Sequence, residues 1–554
     1  MFDHHFKVWP RRTPHHLSVP ETTLSYNLEV TARRHPNRTA IVYYGKPLSY
    51  ADLNDQVERL AGYLQRRLGV AKGERVLLYM QNSPQFVIGY YAILRADAVV
   101  IPVNPMNRTT EMEHFVADTG ARVALLGQEL FPVIQPLLGT GGLKHAVVAN
   151  YAGYADPGFD LPVPDAVKAP TRADLGTDAA VLWRDALAAG ETAAPSTAQP
   201  DDWAVFPYSS GTTGNPKGCM HTHRTVMMPL VASVAWSPMS ADSTHLVTLP
   251  LFHVTGMQTA MNAPIYMGCT MVIMSRWDRR VAAELIQRYR VGRWRSITTM
   301  AIDLVNDPEI RNIDLSSLEA IGGGGAAMPE VIAERLRELT GLDYIEGYGL
   351  SETIASTHIN PVEHPKRQCL GIPIFDVDSR VISVDDGREL PPGEVGEIII
   401  HGPQVFKGYW NDPKGTAEAF LELDGKRFFR TGDLGYYDED GYFFIVDRVK
   451  RMINASGFKV WPTEVEALML RHPAIAEVCV IASPDARRGE AVKACVILRD
   501  SHRDSVTEQD IIAWCRANMA AYKCPSQVDI RDTLPRSATG KLQWRELQEQ
   551  EWSA

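Results

Sequence analysis

The chain has 554 residues, 45% hydrophobic and 22% charged, with a formal net charge of −10 and a sequence pI of about 5.9. This is the composition of a globular protein and excludes fibrous and disordered classes, while the acidic balance argues against a nucleic-acid binder. A single hydrophobic core stops growing near ~250–300 residues, so at least two domains are expected.

The N-terminus, MFDHHFKVWPRRTPHH, has basic residues but no apolar run after them, so it does not read as a secretory signal. No run of apolar residues is long enough for a transmembrane helix. The seven cysteines are scattered from Cys219 to Cys524 without a CxxC pair, so neither a disulfide framework nor a zinc ribbon is indicated. Reduced thiols in a cytoplasmic protein are expected. Residues 75–79 (RVLLY) then read as a short buried strand, 84–95 as a helix, and 99–102 and 121–126 as further strands. The alternation predicts α/β units with largely parallel sheets. Residues 151–202, rich in Ala, Pro, Gly and Asp, read as a surface excursion carrying no chemistry.

The densest signal follows, after the apolar run 203–208. It is Tyr208-Ser209-Ser210-Gly211-Thr212-Thr213-Gly214-Asn215-Pro216-Lys217-Gly218. Three glycines within eight residues let the backbone turn tightly and bring N–H groups to an anion. Hydroxyls add donors and Lys217 adds a cation, which suits the β- and γ-phosphates of a nucleotide. It is not a Walker A motif, because no Gly-Lys-Ser/Thr stands at the required place. Further on, Phe252-His253 stands in LPLFHVTG, where a lone histidine beside apolar residues is more often a satisfied core residue. Residues 322–325 are a glycine run before a helix expected to open at Pro329, by itself as consistent with a plain strand-to-helix turn.

Composition changes after Asp440. Residues 442–446 (YFFIV) read as a strand, a domain boundary is placed within 447–451, and a helix opens near 462–464. A βαβ-like pattern then runs to the end, with strands at 478–481 and 494–498 and an amphipathic helix at 507–519. No internal repeat is visible.

Together these motifs, in this order, resemble the adenylate-forming superfamily of acyl-coenzyme A synthetases, carrier-protein adenylation domains and luciferases. The resemblance runs from roughly residue 23 to 547. It implies an α/β protein with a large N-terminal domain of α/β subdomains, residues 1–447, and a small mobile α+β C-terminal domain, residues 448–554. In the large domain it implies that Ser209, Ser210, Gly211, Thr212, Thr213 and Lys217 hold phosphates. Gly324, Gly325 and Ala326 line the adenine and acyl pockets. In Gly347-Tyr348-Gly349-Leu350-Ser351-Glu352, Tyr348 and Gly349 face adenine, Ser351 bonds the α-phosphate and Glu352 helps hold Mg2+; Ser replaces the family's usual Thr at 351. Asp433 binds the ribose hydroxyls, Arg448 the ribose and phosphate side, and His253 positions the substrate carboxylate. In the small domain Lys541, in PRSATGK, resembles the catalytic lysine, Ser456 and Gly457 lie near the coenzyme A thiol, and Lys450 is the hinge.

The implied activity is a ligase that converts a small-molecule carboxylic acid and ATP to an acyl-adenylate and passes the acyl group to coenzyme A, with Mg2+ as cofactor. A homodimer is the assembly the resemblance suggests. The phrase PKGCMHTH looks most like bacterial fatty-acyl ligases. The stretches expected to line the acyl pocket, 257–261, 298–301 and 322–325, are small or apolar and include several methionines, which suit a flexible chain. A medium- or long-chain fatty acid is therefore expected, although Gly256-Met257 stands where long-chain enzymes often carry a tryptophan. An aryl or arylalkanoic acid is the alternative. Two readings from other classes are an acyl-AMP ligase that loads a carrier protein and a non-catalytic adenylate-binding protein. No carrier domain follows Leu547, and the presence of Lys541 and Glu352 argues for catalysis.

Overall fold

The computed structural model describes residues 2–139, 141–209, 216–324, 328–455, 458–485, 489–503, 505–536 and 542–553. They form two compact units. The first comprises Met1–Ser379, Ile400–Phe429 and Asp440–Phe443; the second comprises Arg380–Ile399, Arg430–Glu439 and Phe444–Ala554.

Two large sheets build the first unit. One has seven strands in the order His221–Thr222, Trp203–Val205, Val99–Pro102, Arg75–Tyr79, Val123–Gly127, His145–Ala149, Ala180–Leu182, parallel except at the first pair. The other has nine. Its central strands Tyr344–Leu350, Ala320–Gly324, Arg293–Ser296, Thr244–Val247, Thr270–Ile273 and Thr39–Tyr43 run parallel, and antiparallel pairs close both edges.

Local sequence explains the helices. Ser83 accepts a hydrogen bond from the Phe86 N–H at the N-terminus of the helix Pro84–Arg95, and the proline stands where no N–H is needed. All eleven residues from Pro84 to Leu94 are buried, so this helix reads as apolar all round. The helix Tyr50–Arg66 is amphipathic instead, burying Leu53, Val57, Leu60, Ala61 and Leu64 at helical spacing. Phe86, Tyr90 and Tyr91 from the first helix join them in one core. Burial of each such large side chain stabilises the unit by roughly 1.5–3 kcal/mol.

The second unit carries its own sheet, ordered Phe458–Val460, Ile453–Ala455, Gly489–Leu498, Ile475–Asp485, with Gln527–Ile530 on Gly489–Leu498. Alternate residues serve two cores. Val478, Val480, Val492 and Ala494 pack with the helices Pro462–Met469 and Glu508–Asn518, while Cys479, Ile481 and Cys495 pack with Leu534 and Leu547. Both faces are covered, so the strands read as continuous apolar runs.

Two expectations are corrected here. Residues 151–202 are not merely a surface excursion: Ala180–Leu182 is the edge strand of the seven-stranded sheet, and Tyr151 and Trp183 are buried in the core. A three-residue strand gives too short a pattern to stand out from its Ala- and Pro-rich surroundings. The C-terminal pattern is also only partly βαβ. Ile475–Asp485 and Gly489–Leu498 form an antiparallel hairpin, and the crossover through Glu508–Asn518 begins after it. All seven cysteines are free and buried. Among the described residues, no helix is long and apolar enough to cross a membrane.

Candidate active site

In the first unit the carboxyl ends of three strands of the nine-stranded sheet carry the sequence-predicted residues. His253 follows Thr244–Val247, Gly324 ends Ala320–Gly324, and Tyr348, Gly349 and Ser351 end or follow Tyr344–Leu350. The carboxyl edge of a parallel sheet is where open α/β folds bind ligands. The glycine run is demanded by backbone packing. A Cβ at Gly323 would lie 1.8 Å from the Ser296 carbonyl oxygen, and one at Gly324 would lie 2.3 Å from that of Gly347. Past the run, the Met328 N–H donates to Glu346 Oε1 at 2.9 Å.

Ser351 and Glu352 occupy a short 3-10 turn, Ser351–Thr353. It is followed by Ile354 at φ 47° and Ala355 at φ 111°, left-handed values that are strained for residues with a Cβ. The buried His221 ring fixes the turn from behind, Nε2 donating to the Ser351 carbonyl at 2.8 Å. Burial lowers this imidazole to about 3, so it stays neutral and its tautomer is set by that bond.

Ser209 and Lys217 face each other in a two-stranded antiparallel pair that flanks the hydroxyl-rich loop. Ser210, Gly211, Thr212 and Thr213 lie outside the described residues, as do Gly325 and Ala326. The Lys217 ammonium pairs with Asp412 Oδ2 at 2.6 Å and stands 5.2 Å from the Tyr409 ring centroid. That hydrogen bond holds the Asp412 carboxyl below the usual range. Tyr409 in turn donates from its hydroxyl to Glu352 Oε1 at 2.9 Å. Burial, with the Glu352 charge beside it, pushes the Tyr409 phenol up. One aromatic side chain therefore spans the cation assigned to phosphate and the carboxylate assigned to metal. The main chain locks this together: Trp410 N–H donates to Gly218 O at 2.8 Å and Phe406 N–H to Glu352 O at 2.8 Å.

His253 is exposed and caps its own turn, Nδ1 accepting from the Thr255 N–H at 3.4 Å. Tyr348 packs against His358, with ring centroids 5.6 Å apart. Tyr409, Asp412 and His221 carry no role in the sequence reading. Tyr409 and Asp412 lie far along the chain from the residues they touch, and His221 looks like an ordinary core histidine.

In the second unit Asp433 is buried, and Arg448 Nε lies 2.9 Å from its Oδ1. Gly432, at φ 68°, turns the strand just before it. Asp447 accepts from the N–H groups of Arg448 at 2.7 Å and Thr463 at 2.8 Å, which fixes the start of the segment that carries Arg448. Lys450 has its backbone in the 3-10 turn Val449–Arg451. Ser456 and Gly457 lie outside the described residues, between the paired strands Ile453–Ala455 and Phe458–Val460. Lys541 also lies outside them. Its flanks are joined by an antiparallel bridge between Arg536 and Leu542 and by a 2.8 Å bond from Gln543 N–H to Pro535 O.

Glu352 offers hard oxygen ligands of the kind Mg2+ takes, one or two carboxylates being enough when phosphates and waters complete the shell. Among the described residues, no cluster of three or more His, Cys, Asp or Glu is grouped for a metal. The residues present thus fit a metal shared with a phosphate ligand.

Comparisons with known proteins give the family. Residues 28–410 match the family model described as AMP-binding enzyme, and residues 464–541 match that of the AMP-binding enzyme C-terminal domain. A long-chain-fatty-acid–CoA ligase of Bacillus subtilis (strain 168) is 34% identical over 550 residues, covering 98% of this chain and 97% of the relative. A feruloyl-CoA synthase of Amycolatopsis sp is 33% identical over 513 residues, covering 92% and 95%. The crystal structure of ATP-bound MatB from Rhodopseudomonas palustris is similar with a TM-score of 0.82 at 27% identity, covering 96% of this chain and 99% of that one.

Proposed function

The chain belongs to the AMP-binding enzyme family, as an adenylate-forming acyl-CoA ligase, and from that premise we propose that its acid substrate is a medium- or long-chain fatty acid. The observation that carries the site assignment is the Lys217–Tyr409–Glu352 contact chain beside the carboxyl ends of the parallel strands.

In the first step a carboxylate oxygen attacks the α-phosphorus of ATP and pyrophosphate leaves. Both reactants are anionic, so cations and N–H groups must offset their repulsion. Lys217 and the N–H groups of residues 209–213 bind the β- and γ-phosphates, Lys217 exchanging Asp412 for phosphate. Ser351 donates its hydroxyl to the α-phosphate. Tyr348 covers adenine with Gly349, and residues 324–326 leave room for ring and acyl chain. Asp433 accepts from the ribose hydroxyls, oriented by Arg448. Glu352 would hold Mg2+, which would supply charge neutralisation. Lys541 donates to the reacting oxygens, and His253 orients the carboxylate.

In the second step the coenzyme A sulfur attacks the acyl carbon, the thiol proton is lost and AMP leaves. Ser456 and Gly457 shape the thiol's approach. The small domain, residues 448–554, reorients on the large one, residues 1–447, about Lys450 between the two steps. Proximity and exclusion of water protect the mixed anhydride.

An aryl acid is the second reading, supported by the near-equal identity of the feruloyl-CoA synthase to this chain. Acid-dependent exchange of labelled pyrophosphate into ATP, run over fatty and aryl acids, separates them. The fatty-acid reading expects exchange with medium or long chains, and exchange with aryl acids alone would refute it.

A further inference from the structure

Among the described residues, Arg295 is a cation without a counter-charge. It stands in the strand Arg293–Ser296 in register with Gly322, which is in register with Ile345 on the next strand. Its side chain lies across the glycine, since a Cβ at Gly322 would come within 2.5 Å of Arg295 Nη1. Among the described residues, no carboxylate pairs with this guanidinium and no acceptor bonds to it. The groups that act on it are Arg293 and Tyr344, and the buried His245 feels both arginines.

Its neighbours differ. Arg293 donates to Ser237 Oγ at 2.8 Å and to the Pro238 carbonyl. The largely covered Arg380 and Arg451 pair with Glu389 and Glu466. Burial, with Arg293 beside it, lowers the Arg295 guanidinium to about 10, which still leaves it charged at neutral pH. A desolvated charge is costly unless something pairs with it.

That partner has access. Arg295 is partly exposed, and so are Gly323, Gly324, Gly347 and Tyr348 towards the carboxyl edge of the same strands. Tyr348 is three residues along the strand from Ile345, roughly 10 Å at 3.3 Å per residue. Arg295 therefore stands about 10 Å below the carboxyl edge of these strands, a depth that the far part of an acid would reach if it ran along the glycine strand. Its planar fork of N–H donors matches a carboxylate bidentately.

We propose that Arg295 binds a second carboxylate, remote from the reacting one, so that the enzyme prefers an α,ω-dicarboxylic acid to the unsubstituted acid of the same length. This rests on reading the glycine strand as the acid's side of the site, and it narrows the fatty-acid class above.

The test measures kcat/KM by pyrophosphate release for length-matched mono- and dicarboxylic acids. It uses the full chain with coenzyme A present, as wild type, Arg295→Met and Arg295→Lys. The wild type is expected to favour the dicarboxylic acid by about tenfold or more. Arg295→Met should lose that preference through KM, with kcat on the monocarboxylic acid kept, and Arg295→Lys should retain part of it. A wild type that prefers the monocarboxylic acid, or an unchanged ratio in folded Arg295→Met, overturns the assignment while leaving the ligase reading intact. If Arg295→Met does not fold, the wild-type ratio and Arg295→Lys decide. No turnover with any acid would instead contradict the ligase reading, and this inference with it.

Discussion

Lys217 shows how a residue assigned from sequence acquires a partner only in the fold. Asp412 holds it at 2.6 Å, with both side chains about a third exposed. Such a pair contributes at most about 1 kcal/mol, and in the proposed mechanism a phosphate displaces it. Asp412→Asn keeps the side-chain oxygen that caps the helix Pro413–Glu418 but removes the competing charge. The KM for ATP should fall by up to about fivefold with kcat little changed; a rise in KM would show that Asp412 aids binding instead. The role proposed for Lys541 is on charge in the first transition state alone. Lys541→Ala should nearly abolish adenylate formation while thioester formation from supplied acyl-adenylate continues. Equal loss in both half-reactions would make the lysine structural or common to both. Lys217, Tyr348 and Glu352 were legible because each stands in a compact motif. Tyr409 and Arg295 were not, because a tyrosine after glycine and an arginine in RWRS carry no local signal. Their meaning comes from strands distant in sequence.

At the level of elements, the segment 447–451 is anchored at one end and turned at the other. Asp447 accepts two backbone N–H groups, Arg451 pairs with Glu466, and Val449–Arg451 form a single 3-10 turn between them. A pivot is absorbed by a few residues at such an element end. Lys450→Pro fixes φ near −65° and removes one soft torsion. Adenylate should still form in that variant, and thioester formation should fall at least about tenfold. Normal rates in both half-reactions would move the pivot elsewhere. The helix Pro84–Arg95 was legible to its exact ends because Ser83 and Pro84 mark its start and nearly all the residues between are apolar. The strand Ala180–Leu182 was hidden because its place at a sheet edge is decided by His145–Ala149, not by its own pattern. The hairpin Ile475–Asp485 with Gly489–Leu498 was misread for a related reason: apolar runs covered on both faces do not reveal strand direction.

For the whole molecule, the first unit keeps five histidines buried and neutral. Burial lowers His5 and His223 to about 4, and His221, His245 and His358 to about 3. Unfolding exposes them to protonation near 6.5, so between that value and about 4 the unfolded chain binds protons that the native chain refuses. Stability is therefore lost as pH falls through this window, by about 1.4 kcal/mol per pH unit for each such group. Glu129 and Glu346, raised by burial, oppose part of this. The urea midpoint of the first unit should drop clearly between about pH 7 and pH 5; an unchanged or higher midpoint would show that these rings are not held neutral. One chain makes an acyl-adenylate and resolves it with coenzyme A. The most direct measurement is product analysis of the purified enzyme with ATP, Mg2+, coenzyme A and a medium- or long-chain fatty acid. Equal amounts of AMP, pyrophosphate and acyl-coenzyme A are predicted, with acyl-adenylate left on the enzyme when coenzyme A is omitted. Formation of ADP, or of AMP with no thioester, would contradict it.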